Sequence, residues 1–222
     1  MFDKRIRIFT GHFGSGKTEV AVNYAMKLGD MGNKTAIVDF DIVNPYFRTA
    51  DVKEFLEQKG IYVITPLYAN TNVDVPALPG EINTLFERKE YDVVFDVGGD
   101  DLGARVLSRY NEEILEEDYE MFFVINIKRP MTDTFLRIEE MIKSIEYSSR
   151  LKVTKLVNNT NLLGDTKEKD IIDGIELIEE VSKKLKIPIG FSSYIANQPL
   201  NIKEKLGTEI LELQKLIKLP WD

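Results

Sequence analysis

The amino-acid sequence predicts one α/β domain over residues 1–222, in which helices cover both faces of a mainly parallel central sheet to give three layers. Short apolar segments alternate with segments of helical periodicity along the chain, which is typical of parallel βα units. A glycine-rich loop joins the first predicted strand to the first predicted helix. Clusters of acids and glycines follow later apolar segments, at the strand ends where such sheets bind their ligands.

In the first half of the chain, each predicted element follows from a local pattern. Residues 5–9 alternate polar and apolar side chains as a strand does, and apolar residues recur at helical spacing from Val20 to Leu28. A turn at 29–33 precedes a short apolar run at 35–40, which predicts a buried parallel strand. The next predicted elements are a helix at 52–58, a strand at 61–64, a loop at 65–76, a helix at 77–88 and a strand at 91–97.

The second half of the chain continues the same alternation. Its predicted elements are strands at 121–126, 153–158 and 188–192, helices at 132–148 and 169–186, and a closing helix at 202–218. The closing helix is predicted because Ile202, Leu206, Ile210, Leu213 and Ile217 would share one side of it. Its mixed charges favour docking on the protein core over binding to a membrane surface.

Composition excludes several classes of function. The net charge of −8 argues against nucleic acid or an anionic membrane as a partner. The absence of cysteine excludes disulfides, thiolate metal sites and iron–sulfur clusters. The first residues contain no apolar signal core, and no apolar stretch approaches the roughly 20 residues of a membrane-spanning helix, so we expect a cytoplasmic protein.

The loop GHFGSGKT at 11–18 matches the phosphate-binding pattern G-x-x-x-x-G-K-[ST] between a strand and a helix. Its glycines let successive backbone N–H groups turn towards an anion. Lys17 would reach the β- and γ-phosphates of a nucleoside triphosphate, and the Thr18 hydroxyl would complete the shell of a Mg²⁺ ion. The alternative is a glycine-rich turn with an exposed lysine. The predicted nucleotide contacts are Gly11, His12, Phe13, Gly14, Ser15, Gly16, Lys17, Thr18 and Glu19.

Acidic residues follow two predicted strands. Asp96 precedes two glycines, and it suits a carboxylate that holds Mg²⁺ through water, while the Gly99 N–H would meet the γ-phosphate. Asp39 and Asp41 would add negative charge near the metal, and one of them would orient or deprotonate the attacking water. The alternative for these acids is turn and cap chemistry. The predicted metal site is Thr18, Asp39, Asp41 and Asp96, and the predicted catalytic residues are Lys17 and Asp41.

The motifs at 11–18, 38–41, 44–48 and 96–99 together resemble the CobQ/CobB/MinD/ParA nucleotide-binding family of the SIMIBI class of P-loop proteins. The order of elements matches over essentially the whole chain, whereas the specific motifs are confined to its first hundred residues. The resemblance implies the P-loop NTPase fold and an ATPase activity. It also implies that Asp41 belongs to switch I and supports hydrolysis, that residues 96–99 form switch II, and that nucleotide controls a homodimer.

His12 departs from the family pattern. Members of the MinD and ParA type usually carry a lysine at this position, which reaches the phosphates of a dimer partner, and the departure weakens the expectation of that dimer. A histidine can donate to a phosphate, more strongly when it is charged. The alternative is that His12 packs at the base of the loop or faces solvent.

The base is predicted from two features. A guanine site of the common GTPase kind uses the tetrad N-K-x-D, which is absent, so ATP is favoured over GTP. Asn158 and Asn159 follow a predicted strand, and in similar proteins an asparagine at this place contacts the adenine edge, since an amide offers both a donor and an acceptor. The alternative is an asparagine-rich turn.

Two functions fit these motifs. In the first, Mg-ATP closes the switch loops so that the chain engages a protein partner, and hydrolysis releases that partner. In the second, the chain transfers the γ-phosphoryl group to a small-molecule carboxylate, as the resembling dethiobiotin synthetase and cobyrinate amidases do. The second function requires the loop at 65–80 to form an acceptor pocket, and its sequence shows no strong acceptor site.

Overall fold

The central sheet is built from eight parallel strands among the described residues. The computed structural model describes residues 2–41, 48–66, 79–99, 101–195 and 207–217, and of Asp101 and Leu102 it describes the backbone alone. The strands are β1 (Ile6–Thr10), β2 (Thr35–Phe40), β3 (Tyr62–Ile64), β4 (Asp92–Val97), β5 (Tyr119–Ile125), β6 (Lys155–Asn158), β7 (Ile189–Ile195) and β8 (Ile210–Leu213). Their order across the sheet is β3-β2-β4-β1-β5-β6-β7-β8.

Helices cover both faces of this sheet, as predicted. They are α1 (Lys17–Asp30), α2 (Lys53–Gln58), α3 (Glu81–Glu87), α4 (Asp101–Leu107), α5 (Asn111–Glu116), α6 (Phe135–Ser149) and α7 (Glu168–Leu185). Helices α1 and α2 bury apolar side chains against one face, and α3 to α7 do so against the other. Alternate residues of a strand enter opposite layers, so Ile8 packs on one face and Phe9 on the other. The fold is therefore the predicted three-layer α/β fold.

The order of the strands places the glycine-rich loop at the centre of one sheet edge. Strand β1 lies between β4 and β5, and β4 lies between β1 and β2. All of these pairs are parallel, so the carboxyl ends of β1, β2 and β4 meet at the same edge. Asp39 of β2 lies opposite Asp96 of β4 in the register of the two strands. The fold thus gathers the loop at 11–16 and both acidic strand ends.

The predicted closing helix is wrong for residues 210–213, which form β8. This strand pairs with β7 and extends the sheet, with Ser192 opposite Ile210 and Ile195 opposite Leu213. Leu211 and Leu213 are buried, whereas Glu212 between them is exposed. That alternation has the period of a strand, and it overlaps the three- and four-residue spacing that predicted a helix. Because the segment pairs with β7, it forms a strand and not a helix.

Other differences between pattern and structure are small. Helices α4 and α5 lie where the sequence pattern predicts no element. Of the features singled out in the sequence, residues 44–47, most of the loop at 65–76, residues 77–78, and residues 202–206 and 218 of the closing helix lie outside the described residues. Among the helices that are described, none is long and apolar enough to cross a bilayer.

Candidate functional site

The loop between β1 and α1 has the backbone that its glycines predict. Gly11, Gly14 and Gly16 have φ of 154°, 78° and 81°, in the region that favours glycine. The Ser15 N–H donates to the His12 carbonyl (3.0 Å), which closes the loop immediately before α1. A Cβ atom on Gly11 would lie 2.4 Å from the Val124 carbonyl oxygen. Glycine at this position therefore lets the loop pack against β5.

Lys17 forms a buried ion pair with Asp41. Its Nζ lies 2.9 Å from Asp41 Oδ2, and the two residues are 7% and 4% exposed. Burial alone would lower the pKa of Lys17, but the carboxylates of Asp96, Asp41 and Asp39 together outweigh that effect and raise its pKa. Lys17 therefore carries its charge at a point where three carboxylates surround it.

Asp39 holds the backbone on both sides of residues 42–47. Its Oδ1 accepts the N–H of Asp41 (2.9 Å), and its Oδ2 accepts the N–H of Ala50 (3.2 Å). Burial and the neighbouring Asp96 carboxylate raise the pKa of Asp39. Both carboxylate oxygens of Asp39 are thus engaged by the backbone.

Asp96 offers an oxygen that suits a magnesium ion. Its Oδ2 accepts the Thr49 hydroxyl (2.9 Å), and the nearby Thr18 hydroxyl acts to lower the pKa of this carboxylate. Among the described residues, Asp96 Oδ1 has no hydrogen-bond partner although it is buried. Burial raises the pKa of Asp96, against the effect of Lys17. A cation beside Thr18 and Asp96 would satisfy the buried oxygen and favour the ionised carboxylate.

The carboxylates do not converge on one metal position. Within the described part of the chain, no group of three or more His, Cys, Asp or Glu side chains is arranged to hold a metal ion. Mg²⁺ in phosphate sites commonly keeps several waters and takes one or two protein ligands together with phosphate oxygens. Thr18 and Asp96 fit that arrangement. The structure gives Asp41 and Asp39 other contacts, and their predicted place at the metal stays a prediction.

Gly99 lies directly beneath the glycine-rich loop. A Cβ atom at this position would lie 1.8 Å from the Gly11 carbonyl oxygen and 3.0 Å from His12 Cα. Only glycine allows the end of β4 to approach the loop this closely. The structure therefore brings Gly99 to the predicted site, and its contact with a γ-phosphate stays a prediction.

Asn158 and Asn159 are used to build the site. Asn158 is fully buried, where its amide donates to the Ile171 carbonyl (3.1 Å) and accepts the Thr160 N–H (3.1 Å). The amide of Asn159 donates to the Ser15 carbonyl (2.7 Å) and accepts the Ser193 hydroxyl (2.9 Å). Asn159 thus joins β6 to the glycine-rich loop. Their predicted contact with a base stays a prediction.

We expect Asn159→Ala to destabilise the protein by about 1–3 kcal/mol, because it leaves the buried Ser15 carbonyl and the Ser193 hydroxyl without this partner. Urea unfolding measures the effect. Ser193→Ala is the matched control, because it removes one hydroxyl and retains the contact of Asn159 with Ser15. Equal losses in the two variants would show that the bond to Ser15 contributes nothing measurable.

A cavity of about 590 Å³ opens beside the loop. It is lined by the loop and the first turn of α1, from His12 to Glu19 except Ser15, and by Asn159 and Arg129. Tyr194 and Ile195 at the end of β7 and three side chains of the segment at 213–217 also line it. Its size is in the range of small-molecule sites, about 300–1,000 Å³. It therefore has room for the part of a nucleotide beyond its phosphates.

His12, Phe13 and Glu19 have different surroundings within the predicted set. His12 Nδ1 lies 2.8 Å from the Phe13 carbonyl oxygen of the same loop, and the Phe13 side chain is 57% exposed. The Glu19 carboxylate accepts hydrogen bonds from the backbone N–H groups of Leu216 and Ile217. Partial burial raises the pKa of Glu19 to about 7, despite these hydrogen bonds. The sequence pattern gave no sign of this contact between α1 and the far end of the chain.

Comparison with known proteins gives the fold. No protein-family model matches the sequence, and no curated protein matches it either. Among solved structures, the cell division protein FtsY from Thermotoga maritima aligns with a TM-score of 0.58 at 20% identity, covering 85% of this chain and 61% of that one. Chloroplast FtsY from Physcomitrella patens aligns with a TM-score of 0.58 at 15% identity, covering 86% and 58%.

A third similar structure contains a nucleotide. The signal recognition particle receptor FtsY from Elizabethkingia anophelis, in complex with GDP, aligns with a TM-score of 0.51 at 14% identity and covers 87% of this chain and 57% of that one. This chain thus spans about three fifths of the length of the FtsY structures. The fold is that of the P-loop nucleoside triphosphatases. At identities of 20% and below these neighbours show the fold alone, and they do not point to the CobQ/CobB/MinD/ParA family.

Proposed function

We propose that this chain binds Mg-ATP at the loop 11–18 and hydrolyses it as a nucleotide-dependent switch, within the CobQ/CobB/MinD/ParA family that its motifs resemble. The observation that carries the proposal is the ion pair between Lys17 and Asp41 (2.9 Å) at the end of a glycine-rich loop. Here the lysine expected to bind phosphate contacts the carboxylate expected to act on water. The two groups are therefore close enough for a change at one to act on the other.

Charge balance indicates how a triphosphate would change this contact. The charge of Lys17 is influenced by the three carboxylates of Asp39, Asp41 and Asp96, so this part of the site is rich in negative charge. A triphosphate competes with Asp41 for Lys17, since both are anions. Bound Mg²⁺ would supply positive charge that neutralises the β- and γ-phosphates. We infer that Lys17 turns from Asp41 to phosphate when nucleotide binds.

The release of Asp41 would couple binding to movement of the chain. Asp41 immediately precedes residues 42–47, and Thr49 and Ala50 after them are held by Asp96 and Asp39. The Asp41 N–H is held by Asp39 as well, so a change at the Asp41 side chain acts between two points of the backbone that Asp39 holds. Freed from Lys17, the Asp41 carboxylate can accept a hydrogen bond from the attacking water and orient it. We propose this exchange as the step that links nucleotide to the switch.

We propose a protein as the partner of the switch. Three apolar side chains close to the loop support this choice, since Phe13, Met131 and Leu136 are 57%, 43% and 65% exposed. Arg129, two residues before Met131, donates from Nε to the Gly14 carbonyl (3.0 Å) and ties this surface to the loop. A second copy of the chain is one such partner. The alternative enzyme function depends on the loop at 65–80, and residues 67–78 lie outside the described part of the chain.

A magnesium-dependent nucleotide panel tests the proposed function. We expect ATP and a non-hydrolysable ATP analogue to raise the melting temperature, and ATP alone of the two to release phosphate. GTP is included because one similar structure holds GDP. If GTP raises the melting temperature more than ATP does, GTP takes the place of ATP in the proposal. Chelation of Mg²⁺ should reduce the shift. No shift with any nucleotide far above a micromolar Kd, where several kcal/mol of stabilisation is expected, would overturn the proposal.

A further inference from the structure

The segment at 213–217 is fastened to the first two turns of α1. Asn23 Nδ2 donates to the Gln214 carbonyl (2.9 Å), and the Gln214 N–H donates to Asn23 Oδ1 (2.8 Å). Glu19 Oε1 accepts the Leu216 N–H (2.8 Å), and its Oε2 accepts the Ile217 N–H (3.2 Å). Two side chains thus make four hydrogen bonds to backbone groups that lie beyond the end of β8.

The fastening has a direct consequence for the cavity. Leu213, Lys215 and Ile217 line it together with Lys17 and Thr18, the residues proposed to bind phosphate and Mg²⁺. Glu19 connects these two groups of lining residues, because it follows Thr18 in the chain and accepts the Ile217 N–H. Leu213 and Ile217 are 2% and 5% exposed, so their positions are fixed by packing as well.

We propose that the segment 213–217 forms the wall of the site that contacts the base and sugar of a purine nucleoside triphosphate. Glu19 and Asn23 are positioning residues that hold this wall in place. The inference rests on the proposed function, since it assumes that the phosphates bind at the loop 11–18. It assigns contact with the nucleoside to Leu213 at the end of β8 and to Lys215 and Ile217 after it. These contacts would add to the predicted base contacts of Asn158 and Asn159, whose amides also hydrogen-bond within the fold.

The geometry separates this wall from the phosphate site. Asn23 lies one helical turn beyond Glu19, and its amide contacts Gln214, whereas the phosphate-side groups are at residues 11–18. Loss of the Asn23 amide leaves the N–H and C=O of Gln214 without these partners and loosens the wall. Loss of the Ile217 side chain removes apolar contact area from the wall itself. Neither change touches the glycine-rich loop.

The test compares ATP with inorganic tripolyphosphate, which has the phosphates and no nucleoside. Calorimetric titration in Mg²⁺ measures both affinities for the wild type, Asn23→Ala and Ile217→Ala. We expect ATP affinity to fall by about tenfold in each variant, with tripolyphosphate affinity unchanged. Lys27→Ala is the matched control on the exposed side of α1, and both of its affinities should equal those of the wild type. Hydrogen exchange should show that ATP, and not tripolyphosphate, protects the Leu216 and Ile217 amides.

The outcomes distinguish the wall from the phosphate site. If the wild type binds ATP no more tightly than tripolyphosphate, or if both variants keep the wild-type ratio of the two affinities, the wall is overturned and the phosphate site stands. A general loss of structure would lower the affinities for ATP and tripolyphosphate equally. That result also contradicts a positioning role. If the wild type binds neither ligand, the proposed function fails and the wall fails with it.

Discussion

Lys17→Ala is expected to abolish the stabilisation of the protein by Mg-ATP. At an ATP concentration about 100 times the wild-type Kd, binding adds about 2.7 kcal/mol to the free energy of unfolding. The variant should lose this increment, because Lys17 supplies the positive charge that faces the phosphates among three carboxylates. Without it, a triphosphate would approach Asp39, Asp41 and Asp96 without the lysine charge that offsets theirs. Chemical denaturation with and without nucleotide measures the increment.

The increment, and not the stability of the ligand-free protein, is the quantity to compare. Removal of Lys17 also takes away the cationic partner of the buried Asp41 and destabilises the ligand-free state. Lys17→Met keeps more of the side-chain volume and should give the same loss of increment. Stabilisation by ATP as large in both variants as in the wild type would mean that nucleotide does not bind at this loop.

Asp41→Asn is expected to stop hydrolysis while it keeps or strengthens binding. An amide cannot accept a proton from the attacking water, and removal of a general base lowers turnover by about 10²- to 10⁴-fold. The amide also competes less well than a carboxylate for Lys17, so ATP should bind at least as tightly as in the wild type. The rate of phosphate release and the Kd of a non-hydrolysable analogue measure the two effects separately.

Asp39→Asn is the matched control for this prediction. Both oxygens of Asp39 accept backbone N–H groups, so an amide there disturbs the fold around Ala50 and has no oxygen to spare for water. We expect this variant to be less stable, with turnover per folded molecule closer to the wild-type value than that of Asp41→Asn. If Asp39→Asn stops turnover and Asp41→Asn retains it, the two aspartates have been assigned the wrong way round.

The sequence predicts best what depends on neighbouring residues. The glycine-rich loop requires glycines, a lysine and a hydroxyl at fixed spacing, and residues 11–16 lie between β1 and α1 as expected, with Lys17 and Thr18 at the start of α1. Parallel strands place their carboxyl ends at one edge, which is why Asp39 and Asp96 meet although they are far apart in the chain. The strand at 35–40 matches its predicted bounds. Local pattern and the geometry of parallel sheets are sufficient for these features.

Long-range pairing accounts for what the sequence did not predict. The segment at 210–213 has apolar spacing that fits either a helix or a strand, and the edge of β7 decides its structure. Glu19 is predicted from the sequence as a nucleotide contact, and its hydrogen bonds to the Leu216 and Ile217 N–H groups were not predicted. The Asn159 amide donates to the Ser15 carbonyl, a contact that spans 144 residues. No local pattern specifies such partners.

The contact of Glu19 with Ile217 spans 198 residues, and this separation has a consequence for synthesis. At roughly 5–20 residues per second, about 10–40 s pass between the addition of these two residues to the growing chain. During that interval the phosphate loop has been made and the far wall has not. A ligand that needs both parts of the cavity could bind only after residues 213–217 have been made, and until then the apolar side chains of α1 that pack with Leu211 and Leu213 lack that cover.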